Sequence, residues 1–454
     1  MKEKKKITIM SIVIALLSIS LSVLIYLCFF ADKYLTDLGY TKQQVKLIHQ
    51  YQLEDEIKEY NQSLIYALNS EDFNEKNIHY YLLFNSQIDY TDSINKLSEL
   101  YSISELKEIL TILDYDQTVE LVDYDKISNI ANFKKLIDKQ YTVKDSVSLT
   151  NTLAEDALEK FLTLPTLEDP TVFASLLDKG YDVDTIISLY DKVGAETFSK
   201  LSNFKYFSSL SEMLEDSSFN FSLLARYLMY MDDQGVSVGS AIYHVSSNDD
   251  FIEDPDFSSF YNNINEVTDT SLTVLVNKSN KLSENYVPDN LEEVSADYRN
   301  STQSLQKEAI EAFIKMSDDC YAAIDRRILV YSGYRSYEAE DSLYNDYIAA
   351  SGDGDSSKVD SFADRAGHSE HQTGLAIDVC QKGYSYNEFD ECLSSDWMYE
   401  HCYEYGYILR YPSSRAFLTG HYFTSYHYRY VGVEVAKLIQ QYNWTLEEYD
   451  YLFD

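Results

Sequence analysis

The sequence predicts three parts in chain order: one membrane-spanning helix, a long all-α array and a C-terminal α+β domain. Three observations predict them. An uncharged apolar run occupies residues 7–30, apolar residues recur at helical spacing from 31 to 265, and short β-branched runs alternate with helical segments from 266 to 454. The runs predicted to be extended read ILVYSGYRS, LAIDVC, YILRYP and YHYRYVGV, and an amphipathic helix is predicted from Ser304 to Tyr321. A chain of 454 residues exceeds one ordinary hydrophobic core, so more than one unit is expected.

The apolar run at residues 7–30 predicts a transmembrane helix. At about 1.5 Å per residue, a helix of that length crosses a hydrocarbon core of roughly 30 Å. Residues 1–6 carry four lysines and one glutamate, and the positive-inside bias assigns this short tail to the cytoplasm. The sequence therefore predicts a single-pass protein of the cell membrane, anchored in the lipid bilayer through residues 7–30, with its C-terminal domain outside the cytoplasm.

Two other interpretations fit this segment less well. A cleavable signal peptide has a shorter apolar run and small residues at its exit, whereas the exit here is bulky, Leu27-Cys28-Phe29-Phe30. A lipoprotein attached through Cys28 would need a small residue just before the cysteine, where Leu27 stands. An uncleaved membrane anchor is therefore the expectation.

The charge balance excludes one class of partner. The formal net charge is −38, from 75 acidic and 37 basic residues. Nucleic-acid binding rests on clustered Lys and Arg, and no such cluster occurs outside the N-terminal tail, so no nucleic-acid partner is expected. The acidic excess predicts a solvated, self-repelling surface. Disulfide pairing stays open for the four cysteines of the last third, Cys320, Cys380, Cys392 and Cys402.

Internal similarity predicts that residues 31–265 form a helical-repeat region. FKKLIDKQYTVKDSVSL at 133–149 and FASLLDKGYDVDTIISL at 173–189 align at an offset of 40 residues. A tyrosine marks the same position in three copies, Tyr101, Tyr141 and Tyr181. A period of this size is typical of helix-turn-helix repeats. The region is predicted to be a structural spacer or, as an alternative, an arm that binds a protein partner.

The residues around the third of these tyrosines predict where helices end and begin. Gly180 precedes Tyr181 and suits the end of a helix, and Asp182 follows it and suits the N-cap of the next helix. Gln140 and Thr142 occupy the same two positions around Tyr141, although glutamine ends a helix less readily than glycine.

The most informative stretch lies at 367–378 and reads GHSEHQTGLAID. His371 stands on a loop, Gly374 allows a turn, and a strand delivers Asp378 seven residues later. Imidazole and carboxylate are both zinc donors, and a catalytic zinc site has three protein ligands and one open position. His427, in SYHYRYVG, is the third candidate. The pattern of one histidine and one aspartate is weak alone, and single histidines are more often structural.

Four blocks in the last third carry a family resemblance. They are SGYRSYEAE at 332–340, RAGHSEHQTGLAIDV at 365–379, YEYGYILRYP at 403–412, and LTG at 418–420 followed by YHYRYVG at 426–432. In these blocks the sequence resembles the D-alanyl-D-alanine carboxypeptidases of the VanY type, within the LAS group of zinc peptidases. The resemblance spans about residues 270–445. It implies an α+β zinc-peptidase domain with a small antiparallel sheet and flanking helices.

The resemblance also implies roles for single residues. His371, Asp378 and His427 would bind Zn²⁺, and Ser369 would contact the substrate. Arg335 would hold the substrate or the developing oxyanion, for which a planar guanidinium is chemically suited. The substrate implied is a peptidoglycan stem peptide. The resemblance therefore implies a membrane-anchored zinc carboxypeptidase, a peptide hydrolase, that removes the terminal D-Ala.

One departure from the family pattern concerns catalysis. The family has glutamate three residues before the last zinc histidine, and this sequence has Thr424 there. A glutamate in that place would act as general base, and threonine cannot do so near neutral pH. The alternative function is therefore a catalytically impaired pseudopeptidase that binds cell-wall peptides or a protein partner. Lesser departures are Ala366, where proline is common, and Glu340, where glutamine is common.

His421 is the nearest residue that could replace the missing base. It lies three residues before Thr424, and in an extended segment an odd offset points two side chains to opposite faces. A direct substitution is therefore not expected from an extended segment, whereas a loop would remove that objection.

Overall fold

The computed structural model describes residues 16–23, 30–54, 56–247, 255–352 and 354–453. The chain divides into two compact units, Met1–Ala174 and Ser175–Asp454. The first unit is helical throughout its described part, and the second combines helices with all the strands of the described chain. The predicted domain boundary between residues 265 and 266 stays a prediction, and the second unit extends across it.

The predicted transmembrane helix at residues 7–30 is wrong. Among the residues that the structure describes, no helix is both long and apolar enough to cross a membrane. The described part of the segment includes helical residues 16–23. Residues 1–15 and 24–29 lie outside the described residues. The single-pass membrane location that was derived from this helix is corrected with it.

The first unit contains short helices, most of which begin at polar caps. Thr41, Ser102 and Asp114 each form a capping box, in which the side chain and the backbone of the cap exchange hydrogen bonds with the third helical residue. The helices are α1 Lys42–Gln50, α2 Gln62–Asn69, α3 Ile78–Tyr81, α4 Thr91–Leu100, α5 Ile103–Ile109, α6 Tyr115–Glu120, α7 Ile130–Asp138, α8 Val143–Thr152 and α9 Glu155–Phe161.

The helical pattern continues in the first part of the second unit. Helix α10, Thr171–Asp178, runs across the point where the chain divides, and α11, Val183–Phe198, is kinked at Gly194. The helices that follow are α12 Leu210–Glu215, α13 Leu224–Gln234 and α14 Val238–Ser247. The predicted caps are confirmed: Thr142 and Asp182 accept hydrogen bonds at helix N-termini, and Gln140 and Gly180 have φ of 69° and 107°.

One tyrosine contact recurs along the helical region. The hydroxyls of Tyr101, Tyr141 and Tyr181 each accept a hydrogen bond from the backbone N–H 26 residues further on, of Ile127, Leu167 and Phe207. All three tyrosines are buried, so each hydroxyl satisfies an N–H that would otherwise lose hydration. The 40-residue repeat stays a prediction, and this recurring contact supports it.

The strands lie in the last 190 residues, where the sequence predicts them. Two small sheets pair β1, Asn265–Glu266, with β2, Asn280–Lys281, and β3, Leu291–Glu293, with β4, Ser304–Gln306. The main sheet is antiparallel in the order β5-β6-β8-β7. Its strands are β5 Ile328–Ser332, β6 Ala376–Gln381, β7 Tyr407–Leu409 and β8 His427–Tyr430. All four main-sheet strands fall in runs predicted to be extended.

Helices flank this sheet and complete an α+β domain. They are α15 Lys307–Ile324, α16 Tyr337–Ser351, α17 Ser356–Val359, α18 Leu393–His401, α19 Ala416–Thr419, α20 Val433–Tyr442 and α21 Leu446–Phe453. Helix α15 was expected to begin at Ser304, and it begins three residues later because 304–306 pair with β3 instead.

The core of the domain forms between α15 and the main sheet. Phe313 and Met316 of α15 are fully buried against Val330, Ile377 and Tyr428 of the strands. Burial of this kind contributes roughly 1.5 to 3 kcal/mol for each large side chain. The four cysteines of this unit are buried free thiols.

Candidate metal centre

The antiparallel ladder places two of the three predicted ligands opposite each other. Asp378 on β6 and His427 at the start of β8 are register partners in neighbouring strands. His371 reaches them from a single 3-10 turn, Glu370–Thr373, which precedes β6. Gly374 closes that turn in a left-handed conformation, with φ of 69°. The turn folds back because glycine adopts this conformation without strain.

The three side chains converge on one point. His371 Nε2 lies 3.2 Å from Asp378 Oδ2, and His427 Nδ1 lies 2.8 Å from Asp378 Oδ1. One ligand atom from each residue can be chosen so that all lie within 4.8 Å of one another. Both imidazoles are buried, and the carboxylate is partly exposed. The structure thus brings together the residues that the sequence singled out as ligands.

The second nitrogen of each imidazole is held by the protein. His371 Nδ1 lies 2.6 Å from the carbonyl oxygen of Gly333, so this nitrogen is assigned the proton and donates it. His427 Nε2 lies 3.4 Å from Glu370 Oε2 and is assigned in the same way. These hydrogen bonds leave His371 Nε2 and His427 Nδ1 facing the cluster, where each nitrogen can bind a metal ion in place of a proton, which is the arrangement that metal-binding histidines adopt.

Glu370 is a functional residue that the sequence analysis missed. It is buried, and its Oε1 accepts hydrogen bonds from Arg410 Nε at 2.7 Å and Arg429 Nη1 at 2.9 Å. Burial alone would raise the pKa of Glu370, but the two guanidinium groups outweigh it and hold the pKa well below its usual range. A sequence signal existed, because an arginine within an otherwise aromatic strand, such as YHYRYV, usually has a buried acid as its partner.

Electrostatics at His427 favour a positive charge in the cluster. Burial would lower the pKa of His427, but its hydrogen bonds to Asp378 and Glu370 raise it to about 9. The two carboxylates therefore attract a proton or another cation to this point. A donor set of two imidazoles and one carboxylate, with positive charge favoured between them, fits a divalent ion such as Zn²⁺.

Arg335 lies at the edge of the cluster, just after β5. Its Nε donates to Glu340 Oε2 at 2.5 Å and its Nη1 donates to Ser332 Oγ at 2.8 Å. Nη1 also lies 3.6 Å from Asp378 Oδ2. The guanidinium is therefore anchored by Glu340, one of the residues at which the sequence departs from the family pattern.

A cavity of about 260 Å³ opens above these residues. Its polar lining includes Arg335, Ser369 and the three residues of the cluster. Its aromatic lining consists of Tyr331, Tyr347, Phe362, Tyr386, Tyr411 and Tyr426. Such a cavity can hold the end of a peptide against the cluster while the rings exclude bulk water.

Thr424 and His421 both line this cavity. The Thr424 hydroxyl donates to the carbonyl oxygen of Tyr422 at 3.1 Å, so it is occupied by its own loop. Residues 421–426 form a loop before β8 and not an extended strand. The alternation of an extended strand therefore does not apply to His421 and Thr424, which is the case in which the objection to a role for His421 is removed.

Comparisons with known proteins agree with the geometry. Residues 302–433 match the family model described as VanY, D-alanyl-D-alanine carboxypeptidase. The chain is 32% identical to the Bacillus subtilis protein YodJ over 206 residues, which cover 42% of this chain and 74% of that protein. It is 31% identical over 184 residues to the bifunctional D-Ala-D-Ala dipeptidase and D-Ala-D-Ala carboxypeptidase VanXYC of Enterococcus gallinarum, covering 39% of this chain and 93% of that protein.

A solved structure is also similar. It is a vancomycin resistance D,D-pentapeptidase VanY in complex with Zn(II), with 29% sequence identity and a TM-score of 0.34, covering 40% of this chain and 99% of that chain. The relatives match the C-terminal part of this chain, where the four sequence blocks and the histidine-aspartate cluster lie. Through this C-terminal domain, the chain belongs to the VanY family of D-alanyl-D-alanine carboxypeptidases.

Proposed function

We propose that the C-terminal domain is a zinc-dependent carboxypeptidase that removes the terminal D-Ala from peptidoglycan stem peptides. The observation that carries this proposal is the convergence of His371, Asp378 and His427 at the floor of a peptide-sized cavity. Each imidazole directs one nitrogen at the cluster, and all three residues line the cavity. Family membership supports the choice of substrate, because the relative VanXYC is named for action on D-Ala-D-Ala.

His371 Nε2, Asp378 and His427 Nδ1 are the atoms and groups that would hold the ion. A zinc ion in such a site polarises a carbonyl group and lowers the pKa of water. Arg335 is placed to bind the carboxylate end of a peptide or to stabilise negative charge on the scissile carbonyl oxygen, because its guanidinium faces the same cavity. Ser369, buried beside His371, offers a hydroxyl to the substrate.

Thr424 supports a second candidate, a peptide-binding pseudopeptidase. The family pattern has a general base at this position, and general acid-base catalysis is commonly worth about 10²- to 10⁴-fold in rate. The Thr424 hydroxyl has no acid-base function near neutral pH. Slow hydrolysis and peptide binding without turnover are therefore the two activities that the cavity supports, and they differ in whether D-Ala is released.

The helical region has a separate proposed role. We propose that residues 31–265 position the C-terminal domain or bind a protein partner, on the strength of the repeated helical pattern alone.

The test combines zinc content with D-Ala release from a stem pentapeptide by the full chain. The native chain is expected to bind one zinc ion, and His371→Ala or Asp378→Ala is expected to abolish binding. Thr424→Glu is expected to raise D-Ala release by about 10²- to 10⁴-fold, whereas Thr424→Gln, which matches it in size but lacks the carboxylate, is not. A folded chain that binds no zinc would contradict both candidate functions. Release at ordinary enzyme rates by the native chain would exclude the pseudopeptidase.

A further inference from the structure

A second cluster of ionisable groups lies against the same cavity. Lys278 Nζ lies 2.9 Å from Asp364 Oδ1 and 2.8 Å from His421 Nε2, and His421 Nε2 lies 2.8 Å from Asp364 Oδ1. Lys278 and His421 are almost fully buried. The three residues come from distant parts of the sequence, and the proposed metal ligands are not among them. We call them the Lys278–Asp364–His421 cluster.

The contacts of this cluster fall on one oxygen of the carboxylate. Lys278 and His421 both bond to Asp364 Oδ1, while Oδ2 has no hydrogen-bond partner within the described part of the chain. The Asp364 side chain keeps 10% of its surface exposed, and Asp364 lines the cavity. Because Asp364 contributes to the cavity lining, Oδ2 is the oxygen available to accept a proton or a hydrogen bond from a molecule in the cavity.

The cluster lies one aromatic ring away from the proposed metal centre. Tyr411 stacks on His421 with ring centroids 3.9 Å apart, and it stacks on His427 with centroids 5.1 Å apart. Asp364 and the three proposed ligands contribute side chains to the same cavity lining. A water molecule or a scissile peptide bound in this cavity can therefore contact both groups, as general base catalysis requires.

We propose that Asp364 carries out the proton transfer for which Thr424 has no suitable group, with Lys278 and His421 as its positioning residues. This inference rests on the proposed hydrolytic function. The carboxylate would enter the cavity from the loop before the metal-binding turn instead of from the loop before β8. It accounts for a buried lysine and a buried histidine that the metal centre does not use.

The proposed step hydrolyses one amide bond. The oxygen of a water molecule bonds to the scissile carbonyl carbon, and the bond from that carbon to the D-Ala nitrogen breaks. Asp364 Oδ2 takes one proton of the water and delivers it to the leaving nitrogen. The second water proton passes from the new carboxyl group through solvent to the amine, so the products are a shortened peptide carboxylate and D-alanine with a protonated amino group.

The electrostatics of the cluster predict a slow base. Burial alone would raise the pKa of the Asp364 carboxyl, but His421 and Lys278 hold it well below its usual range. Burial lowers the pKa of Lys278, and it lowers the pKa of His421 to about 4, so the imidazole is neutral near pH 7 and acts on Asp364 through its hydrogen bond. Asp364 is therefore ionised and ready to accept a proton, but its basicity is low, and slow turnover follows.

A double-mutant cycle between Asp364 and Thr424 tests the proposal. Asp364→Asn is expected to lower kcat for D-Ala release by about 100-fold or more in the native chain. In the Thr424→Glu background the same change is expected to have a much smaller effect, because the new glutamate performs the transfer. A residue that only supported the fold would lower activity equally in both backgrounds. KM and zinc content are expected to stay within about twofold, because Asp364 is proposed to act on the transferred proton and not to bind the substrate or the metal ion.

Two further variants keep the test decisive. In Asp364→Asn, the buried Lys278 ammonium has no carboxylate partner, and this unpaired charge can unfold the domain. The double variant Asp364→Asn with Lys278→Met avoids this problem because it removes both charges. Asp318→Asn is the control for charge removal, because Asp318 pairs with Arg327 outside the cavity lining.

The outcomes separate this inference from the proposed function. Undiminished D-Ala release by a folded, zinc-loaded Asp364→Asn chain, or an equal loss in both backgrounds, overturns the role of Asp364 and leaves the hydrolytic function standing. No release by any zinc-loaded variant, Thr424→Glu included, contradicts the hydrolytic function and the role of Asp364 together.

Discussion

Glu370 touches three groups at once, and its contacts connect the metal centre to the domain core. Arg410 and Arg429 bind one of its oxygens, and His427 approaches the other. Arg410 continues the network to Glu447 on α21 through a bidentate pair with distances of 3.0 Å and 2.6 Å. Because all these groups are buried, none can reorient without leaving a charge unpaired. The orientation of His427 is therefore set by residues far from it in sequence.

Glu370→Gln is expected to weaken zinc binding by about 10- to 100-fold, the usual effect of losing a partner behind a metal-binding histidine. The amide still accepts from His427, but Arg429 loses its carboxylate partner and Arg410 keeps only Glu447. Zinc affinity is measured by competition with a chelating dye. Glu404→Gln is the control, because Glu404 pairs with His401 at the surface. An unchanged zinc affinity in a folded Glu370→Gln chain would contradict this role.

At the scale of elements, the metal centre depends on a turn and a strand ladder. The antiparallel register sets Asp378 opposite His427, and the turn ending at Gly374 returns His371 to the same end of the sheet. A Cβ atom at Gly374 would lie 2.7 Å from Leu291 Cδ2 and 3.3 Å from Gln306 Cγ. Strand β3 and β4 residues thus pack directly against the turn and fix its position.

Gly374→Ala is expected to lower the free energy of unfolding by about 1 to 2 kcal/mol, because its φ is left-handed, and also to weaken zinc binding because the turn shifts. Gly383→Ala is a matched control, since Gly383 has φ of 95° and open space around it. It should lose stability by a similar amount with no change in zinc affinity. Chemical denaturation and dye competition measure the two effects. Equal zinc affinities for the two variants would refute the contribution of the Gly374 packing.

A capping box in the first unit predicts a pH dependence. The Lys126 ammonium and then the Ser102 cap lower the pKa of Glu105 to about 2. A glutamate in an unfolded chain titrates near about 4.3. The stabilising contribution of Glu105 is therefore complete above that value and is lost as the pH falls towards about 2. Glu105 is partly exposed, so screening keeps the effect small.

Urea denaturation of the native chain and of Glu105→Gln, between pH 2 and pH 6, checks this expectation. The glutamine keeps an oxygen for the cap but carries no charge. The native chain should be the more stable at pH 6, and the difference should shrink as the pH falls through the window. A difference that stays constant down to pH 2 would exclude ionisation of Glu105 as its source.

At the scale of the whole molecule, the helices after residue 175 are part of the unit that contains the metal centre. Trp444 Nε1 donates to the carbonyl oxygen of Ser222 at 2.9 Å, and the ring packs on Phe221 with centroids 5.8 Å apart. Arg226 Nε binds the buried Glu448 at 2.7 Å. These contacts attach α13 and its neighbours to α21, the last helix of the domain. The part of the helical region after residue 175 therefore supports the peptidase fold directly.

Phe221→Ala is expected to destabilise this unit by about 3 to 5 kcal/mol, the usual cost of removing a buried phenylalanine ring. Tryptophan fluorescence, which reports Trp397 and Trp444, and zinc release should move to lower temperature together. Tyr243→Ala is the control, because that ring is 68% exposed. Zinc release at an unchanged temperature would show that the helices and the metal centre unfold independently.

Short sequence patterns predicted those strands, helix caps and candidate ligands whose formation depends on residues close together in the sequence. The four main-sheet strands, the helix caps at Thr142 and Asp182 and the candidate ligands His371, Asp378 and His427 all follow from short runs of residue types. Hydrophobic length alone misled at residues 7–30, where it predicted a membrane helix. Helix α15 begins three residues later than predicted, because residues 304–306 form β4 and pair with β3. Local periodicity does not encode such pairing between strands.

The sequence by itself determined which chemical groups this protein has: two histidines and one aspartate in a family pattern, and a threonine where a base is expected. Only the tertiary structure decided which other groups face them. The contact of Glu370 with His427 and the contacts among Lys278, Asp364 and His421 join residues that lie 57 to 143 positions apart in the sequence. Such contacts arise when packing closes long loops around buried charges, and no periodicity of the chain specifies them.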